Sequence, residues 1–386
     1  LPEPSTPRDL RLDFFRGVSL IFIFIDHIPE NVLSYFTLQA VAFFDAAEVF
    51  IFISGFTAAL AYGRRLVSTG ALYATAQVLR RAWQLYVAHI FLFVLFVAEV
   101  SYTAAAFKNP MYNEEMRVAD FLDEPHIAVI KALLLEFQPT FLDILPLYIV
   151  MLLIFPAILL GMRRHWLWVL VPSAVLYLIV QVFDVSVPAY PEGHVWYFNP
   201  LAWQFLFVAG AVLGNRTAQG ERFAGFLRLA YPVAAVVFAA ALAVKLSWTI
   251  HGVWEPFPGL FLKELWPVNK NNFSPIRLVT FFALVLLVAT HVPRSARFLG
   301  SAAARPLVLC GQQSLEIFCL GILLSALGHF YLAEYDSAVA MQLVVNAAGI
   351  AVMFLTAGMI DWYKAMDRMR MVQPAVPRSR GDGGAQ

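Results

Sequence analysis

The sequence predicts an all-α, polytopic integral membrane protein with about ten transmembrane helices and both termini cytoplasmic. Three observations carry this reading. Charged residues make up 14% of the chain and hydrophobic residues 60%, against roughly 25% charge in a soluble domain. A core cannot hide so large a deficit, because the surface of a folded chain must be covered by something polar or by lipid. Apolar runs approach the roughly 17–25 residues that cross a bilayer. Basic residues gather in every second loop, as the positive-inside rule requires.

The runs fall at residues 12–29, 40–62, 83–100, 140–161, 166–183, 199–214, 226–246, 276–292, 306–330 and 338–360. The first follows arginines but has no small-x-small cleavage site directly after it, so it reads as a retained span. Of the 27 Lys and Arg residues, 20 fall on the side assigned to the cytoplasm. The other seven, among them Arg117, Lys270 and Arg277, lie in or beside longer loops mixed with acidic residues. Three large outer loops result, at 101–139, 184–198 and 247–275. Residues 1–372 read as one membrane domain without an internal repeat, and the Pro/Gly/Arg-rich stretch 373–386 as a disordered cytoplasmic tail.

Composition also narrows the chemistry. A net charge of +1 and the lack of a basic patch interleaved with aromatics give no sign of a nucleic-acid partner. Cys310 and Cys319, nine residues apart on one expected helix, are about 13.5 Å apart in rise and cannot pair. No Cys/His spacing suggests a metal. The outer loops carry Tyr190, Trp196, Tyr197, Trp248, Trp254 and Trp266. These suit an aromatic belt at the lipid interface or stacking platforms for a sugar.

The first span, FRGVSLIFIFIDHI, poses the functional question, because it carries Arg16, Asp26 and His27 where each charge costs insertion energy. Intramembrane ionisable residues are candidate functional sites. Arg16 and His27 are eleven residues apart, so they share a helix face about 16.5 Å apart along the axis. Asp26 points about 100° away from His27. The returning helix reads FFDAAEVFIFISGF, where Asp45 and Glu48 share a face near the depth of His27. Either carboxylate there could orient the imidazole as a general base. Gly55 on the same face allows close helix approach. The structural alternatives are a snorkelling Arg16 and a His27 that caps its helix before Pro29.

The segments RDLRLDFFRGVSLIFIFIDHIPEN and AAEVFIFISGFTAALAYGRRL resemble the membrane succinyltransferases of osmoregulated periplasmic glucans, the OpgC family. RRAWQLYVAH, FLDILPLYIV, FNPLAWQFLFVAG and GQQSLEIF resemble it too, so the likeness runs from about residue 8 to 330. That family is similar to the acyltransferase-3 proteins and the lysosomal heparan acetyltransferase. In acyltransferase-3 proteins an Arg, ten residues and a His mark the first helix, and Arg16 and His27 match that spacing.

The resemblance implies a multi-pass enzyme of the bacterial inner membrane, holding no permanent cofactor. It would move a succinyl group from cytoplasmic succinyl-CoA to glucosyl hydroxyls of a periplasmic glucan. Arg16, Arg64, Arg65, Arg80 and Arg81 would then hold CoA phosphates, for which the planar guanidinium is suited; the Arg pairs serve equally to set topology. His27 would act as general base, oriented by Asp45 or Glu48, with an acyl-histidine as the competing mechanism. Ser54, Tyr148, Gln204 or Gln313 would meet the oxyanion. Asp143, Trp196, Trp203 and Gln204 fall to the acceptor, and Gln313 and Glu316 to a donor tunnel. Helix–helix hydrogen bonding accounts for these polar residues equally well. Glu316, about ten residues into the ninth span, is expected near mid-membrane. His89, in the third span, stays open between structure and function. Arg277 could meet a dicarboxylic acyl chain or snorkel into headgroups. Transfer of acetyl to another extracytoplasmic glycan, and a transporter without transferase activity, are the rival readings. The oligomeric state is open.

Overall fold

A computed structural model describes residues 8–221, 223–250 and 268–372. Trp254, Trp266 and the middle of the third large loop lie outside the described residues, as does the expected tail 373–386. The described residues are 78% helical. Its helices are α1 (Leu10–Asp26), α2 (Leu38–Val41), α3 (Ala46–Thr69), α4 (Ala71–Phe107), α5 (Met111–Glu115), α6 (Ala119–Asp123), α7 (Pro125–Leu133), α8 (Ile144–Arg164), α9 (Leu167–Phe183), α10 (Pro200–Ala218), α11 (Ala224–Thr249), α12 (Pro275–His291), α13 (Arg305–Gln312), α14 (Ser314–Glu334) and α15 (Val339–Val372). Two-residue strands β1 (Pro188–Ala189) and β2 (His194–Val195) pair antiparallel in the loop between α9 and α10.

Among the described residues six helices are long and apolar enough to cross a membrane: α3, α4, α8, α11, α14 and α15. α9 and α12 are apolar but shorter. Each of the ten expected runs overlaps a helix, but the second begins later than expected, at Ala46 with Asp45 as its cap, and the ninth is corrected too. It is broken, with α13 ending at Gln312 and α14 starting at Ser314. Cys310 and Cys319 therefore sit on different helices, both as free thiols. Glu316 lies in the first turn of α14 rather than deep in a continuous helix.

Local chemistry sets the helix starts. Asp9 caps α1 by accepting from the Arg11 amide, and its carboxylate holds Arg11 and Arg294. Asp45 and Glu48 form a capping box on α3, in which each side chain satisfies an amide left orphaned at the helix start. Asn199-Pro200 and Ser274-Pro275 open α10 and α12, since proline at the first turn sacrifices no hydrogen bond.

α1 and α3 form the centre of the bundle. α3 lies tightly on α10, and α1 on α13. A Cβ on Gly55 would collide with the Phe207 carbonyl, and one on Gly17 with that of Leu307. Backbones approach this closely only where a side chain is missing, so these glycines set the spacing of the two central helices. α11, by contrast, buries little of its surface and packs mainly on α12.

Candidate active site

α1 stops at His27, whose residue caps the helix two positions before Pro29. The ring therefore leaves the helix axis and faces a cavity of about 380 Å³ at this end of the bundle. Its centroid lies 4.3 Å from that of Phe141, with the planes 27° apart. Phe141 holds a left-handed backbone at φ 74°, a costly conformation for an aromatic residue that the surrounding structure must enforce. Asp26, Asp45, Asp143, Arg117, Lys270, Tyr190 and Tyr197 share the cavity wall with His27. Asp26 is engaged elsewhere, accepting from Thr37 at 2.7 Å and Gln39 at 2.9 Å.

The expected pairing of His27 with Asp45 or Glu48 is not formed. Among the described residues Nδ1 of His27 has no hydrogen-bond partner. Both carboxylates turn to Arg277 of α12 instead, 229 residues along the chain from Glu48. Arg277 Nε donates to Glu48 Oε1 at 2.6 Å, and Nη2 to Asp45 Oδ2 at 3.1 Å. Arg277 is buried, so it does not snorkel. A buried cation needs this pairing, because desolvation of a lone guanidinium would cost several kcal/mol.

Lys270 is the second cation of the cluster, 2.7 Å from Asp45 Oδ2. Its ammonium lies 5.6 Å from the Tyr197 ring centroid and 5.4 Å from that of Phe198. Burial works against its charge, but Asp45 and Tyr197 outweigh it and hold the lysine above its ordinary pKa. Arg117 reaches the same wall from the loop after α5. Sequence reasoning counted both only as loop charges. Their one signal was that they break the positive-inside bias on a side otherwise poor in lysine and arginine.

Three expected acceptor residues do not line the cavity, and two of them hold its frame. The buried Trp203 indole N–H donates to the carbonyls of Lys270 and Asn271 at 3.0 and 3.1 Å. Gln204 is paired with Ser173, accepting at 2.5 Å and donating to its carbonyl at 2.9 Å. Trp196 is buried, although its neighbours Val195 and Tyr197 do line the cavity. Tyr177 and Gln181 of α9 add bonds to the carbonyls of Phe273 and Asn272. The segment that presents Lys270 is thus tied down from two helices.

Arg16 lies on the His27 face of α1, further toward the arginine end. It donates to Thr57 Oγ1 at 2.6 Å, while its Nε is buried and has no partner among the described residues. Along α3, Asp45 to Ala47 line the cavity, Phe50 follows, and Ile53 and Thr57 meet Arg16. Phe50 packs 6.4 Å from Tyr148 and 6.3 Å from Phe318, a cavity-lining ring. These three aromatics occupy the level between His27 and Arg16.

At the arginine end, Arg64 and Arg65 are exposed and Arg81 half-buried. Arg64 bonds its own helix at Leu60 O, Arg65 bonds Gln77, and Arg81 bonds Gln84 at 3.3 Å. Arg80 is exposed. Arg81 lies within electrostatic reach of Arg16. A second cavity, about 420 Å³, opens at this end between Arg8, Gln312, Gln313, Asp361, Lys364, Asp367 and Arg368. Gln313 accepts from Lys364 at 2.5 Å there. Glu316 is exposed and stands 3.8 Å from Lys364, so the mid-membrane position expected for it is not found. His89 is fully buried in α4, and neither ring nitrogen has a partner among the described residues.

No curated protein matches the chain. The family described as OpgC protein matches residues 8–365, from the cap of α1 into the last turns of α15. The chain belongs to the OpgC family.

Proposed function

We propose that this protein is a membrane O-acyltransferase that moves a succinyl group from cytoplasmic succinyl-CoA to glucosyl hydroxyls of periplasmic glucans. Ten spans, with both termini cytoplasmic, would place the His27 cavity on the periplasmic side of the bacterial inner membrane. The observation that carries the reading is His27 itself: an imidazole at a helix end, stacked on Phe141, in a cavity that also holds Asp143, Tyr190 and Tyr197. Carboxylates and tyrosines suit a polyhydroxylated acceptor, since both accept or donate hydrogen bonds and the rings offer flat apolar faces.

In this mechanism neutral His27 removes the proton from a glucosyl hydroxyl as its oxygen attacks the thioester carbon. The C–O bond forms, negative charge builds on the carbonyl oxygen, and the C–S bond then breaks. The departing sulfur takes the proton back from His27 and leaves as free thiol. Of the four oxyanion candidates, Gln204 and Gln313 are already bonded within the frame, which leaves Ser54 and Tyr148. Asp45 and Glu48 act on His27 through the charge cluster rather than by direct contact. Arg16, Arg81 and the exposed Arg64, Arg65 and Arg80 form a basic mouth for the donor's phosphates. The acyl arm would pass Gln313 and the Phe50–Tyr148–Phe318 level on its way to His27.

The test is expression of wild type and His27→Ala, at equal membrane levels, in cells lacking their own enzyme. Mass spectra of the periplasmic glucans should gain one succinyl mass with wild type. The variant should lose it by about 10²–10⁴-fold, the range of general acid–base catalysis. An acetyl mass would replace the donor. No shift with wild type would return the protein to the transporter reading.

A further inference from the structure

We propose that Arg117, supported by Lys270, is an anion-recognition position of the His27 cavity and receives a ligand carboxylate. Among the described residues, the Arg117 side chain makes no hydrogen bond and no carboxylate reaches salt-bridge distance of it. Every other cation of the cluster is engaged. Arg277 is taken by Glu48 and Asp45, and Lys270 uses one donor on Asp45. A lysine ammonium has three donors, so Lys270 retains donors that the Asp45 contact does not use.

The backbone around Arg117 is built to hold it in place. Arg117 sits half-buried at φ 54° between Met116 and Val118, which are fully buried. A left-handed backbone is unfavourable for an arginine, so the surrounding structure must enforce it. The Thr140 amide donates to Met116 O at 3.1 Å and its hydroxyl to Glu115 O at 3.0 Å. Arg117 is thereby fastened to the strand of loop that carries Phe141, the ring stacked on His27. Arg117 and Lys270 both line the cavity that holds His27, as does Asp143. A held guanidinium with a free planar fork selects carboxylate geometry.

Under the acyl-transfer reading, on which the owner of the anion depends, the carboxylate is either the free end of a dicarboxylic acyl group or a charged substituent on the glycan. A binding measurement separates the anion site from that reading. Protein in lipid nanodiscs is heated with monomethyl succinate or with methyl butyrate at matched concentration and ionic strength. The anionic ester should raise the unfolding midpoint and the neutral one should not. The shift should vanish in Arg117→Gln and partly survive in Arg117→Lys. Equal shifts, no shift, or a shift that Arg117→Gln retains would each overturn the site.

Rates then assign the anion. With succinyl-CoA and butyryl-CoA and an uncharged glucan, Arg117→Gln should lower the succinyl-over-butyryl ratio of kcat/KM by about 10- to 100-fold, as for a lost charged hydrogen bond. If that ratio holds and the loss instead follows a carboxylated acceptor, the anion is on the glycan. A loss equal across all pairings makes Arg117 structural and overturns the proposal. Wild type inactive with every donor would defeat the transferase reading and leave the binding result to decide the site.

Discussion

The two ends of the bundle handle charge in opposite ways. At the His27 end, Glu48, Asp45, Arg277 and Lys270 join α3, α12 and the loop before α12 into one cluster. Each member depends on another that is distant in sequence. At the arginine end, Arg64, Arg65 and Arg81 bond within α3, within α4 or across the turn that joins them. Arg64 and Arg65 are exposed there and Arg81 is half-buried. The contrast teaches that burial, rather than charge count, marks where an ionic group is specified individually. A buried charge without its partner costs several kcal/mol, whereas an exposed pair contributes about 0–1 kcal/mol.

The strongest way to break the contrast is to remove one member of the buried cluster. Glu48→Gln or Arg277→Met should each destabilise the protein by about 3–5 kcal/mol, read as a lowered unfolding midpoint in detergent. The double variant Glu48→Leu with Arg277→Leu should recover part of the loss, because no orphan charge remains. If the single variants unfold like wild type, the cluster is solvated and the two ends are alike.

Arg16 tests the boundary between the ends. It belongs to the arginine side by position but is hydrogen-bonded inside the bundle like the cluster residues. Arg16→Gln should lower kcat/KM for acyl-CoA by about 10- to 100-fold, in line with a charged hydrogen bond. An effect no larger than that of Arg80→Gln would move it to the solvated group.

A smaller effect sharpens the role of the frame. Trp203→Phe keeps the packing on Phe198 and Phe273 but removes the indole donor to the Lys270 and Asn271 carbonyls. The loss of about 1 kcal/mol should appear as a roughly five-fold rise in KM with kcat retained. A fall in kcat alone would mean that Trp203 acts on the chemistry. Smallest of all, Arg80→Gln should change the KM for acyl-CoA by about two-fold at low salt and not measurably at high salt. A large, salt-resistant loss would show an individually built phosphate contact.

Much of this architecture was legible in the sequence. Apolar runs marked where the helices lie, six of which are long and apolar enough to cross a membrane among the described residues, and the eleven-residue interval placed Arg16 and His27 on one expected face. The i,i+3 relation of Asp45 and Glu48 was also visible, but the expected run starts at residue 40, which puts Asp45 inside the helix rather than at its cap. What those carboxylates bond was not visible, because their partner Arg277 comes from a helix more than two hundred residues later. The break at Gln313 was hidden for another reason. No proline marks it, and the polar GQQS stretch in which it falls reads as polar side chains within one continuous helix.

The sequence by itself determined the solvent, the helices and the stripe on α1, since these depend on hydropathy and helical period, which act locally. Only the tertiary structure decided that Arg277 is buried, that Trp203 is a fastening for the Lys270 loop, and that Arg117 faces the cavity. Those outcomes depend on which distant backbones meet. Glycines at 17 and 55 allow α1 and α3 to approach their neighbours closely, and the buried charges then settle with whatever partner that approach supplies. Desolvation makes such pairing compulsory, while chain distance leaves no trace of it in any short stretch of residues.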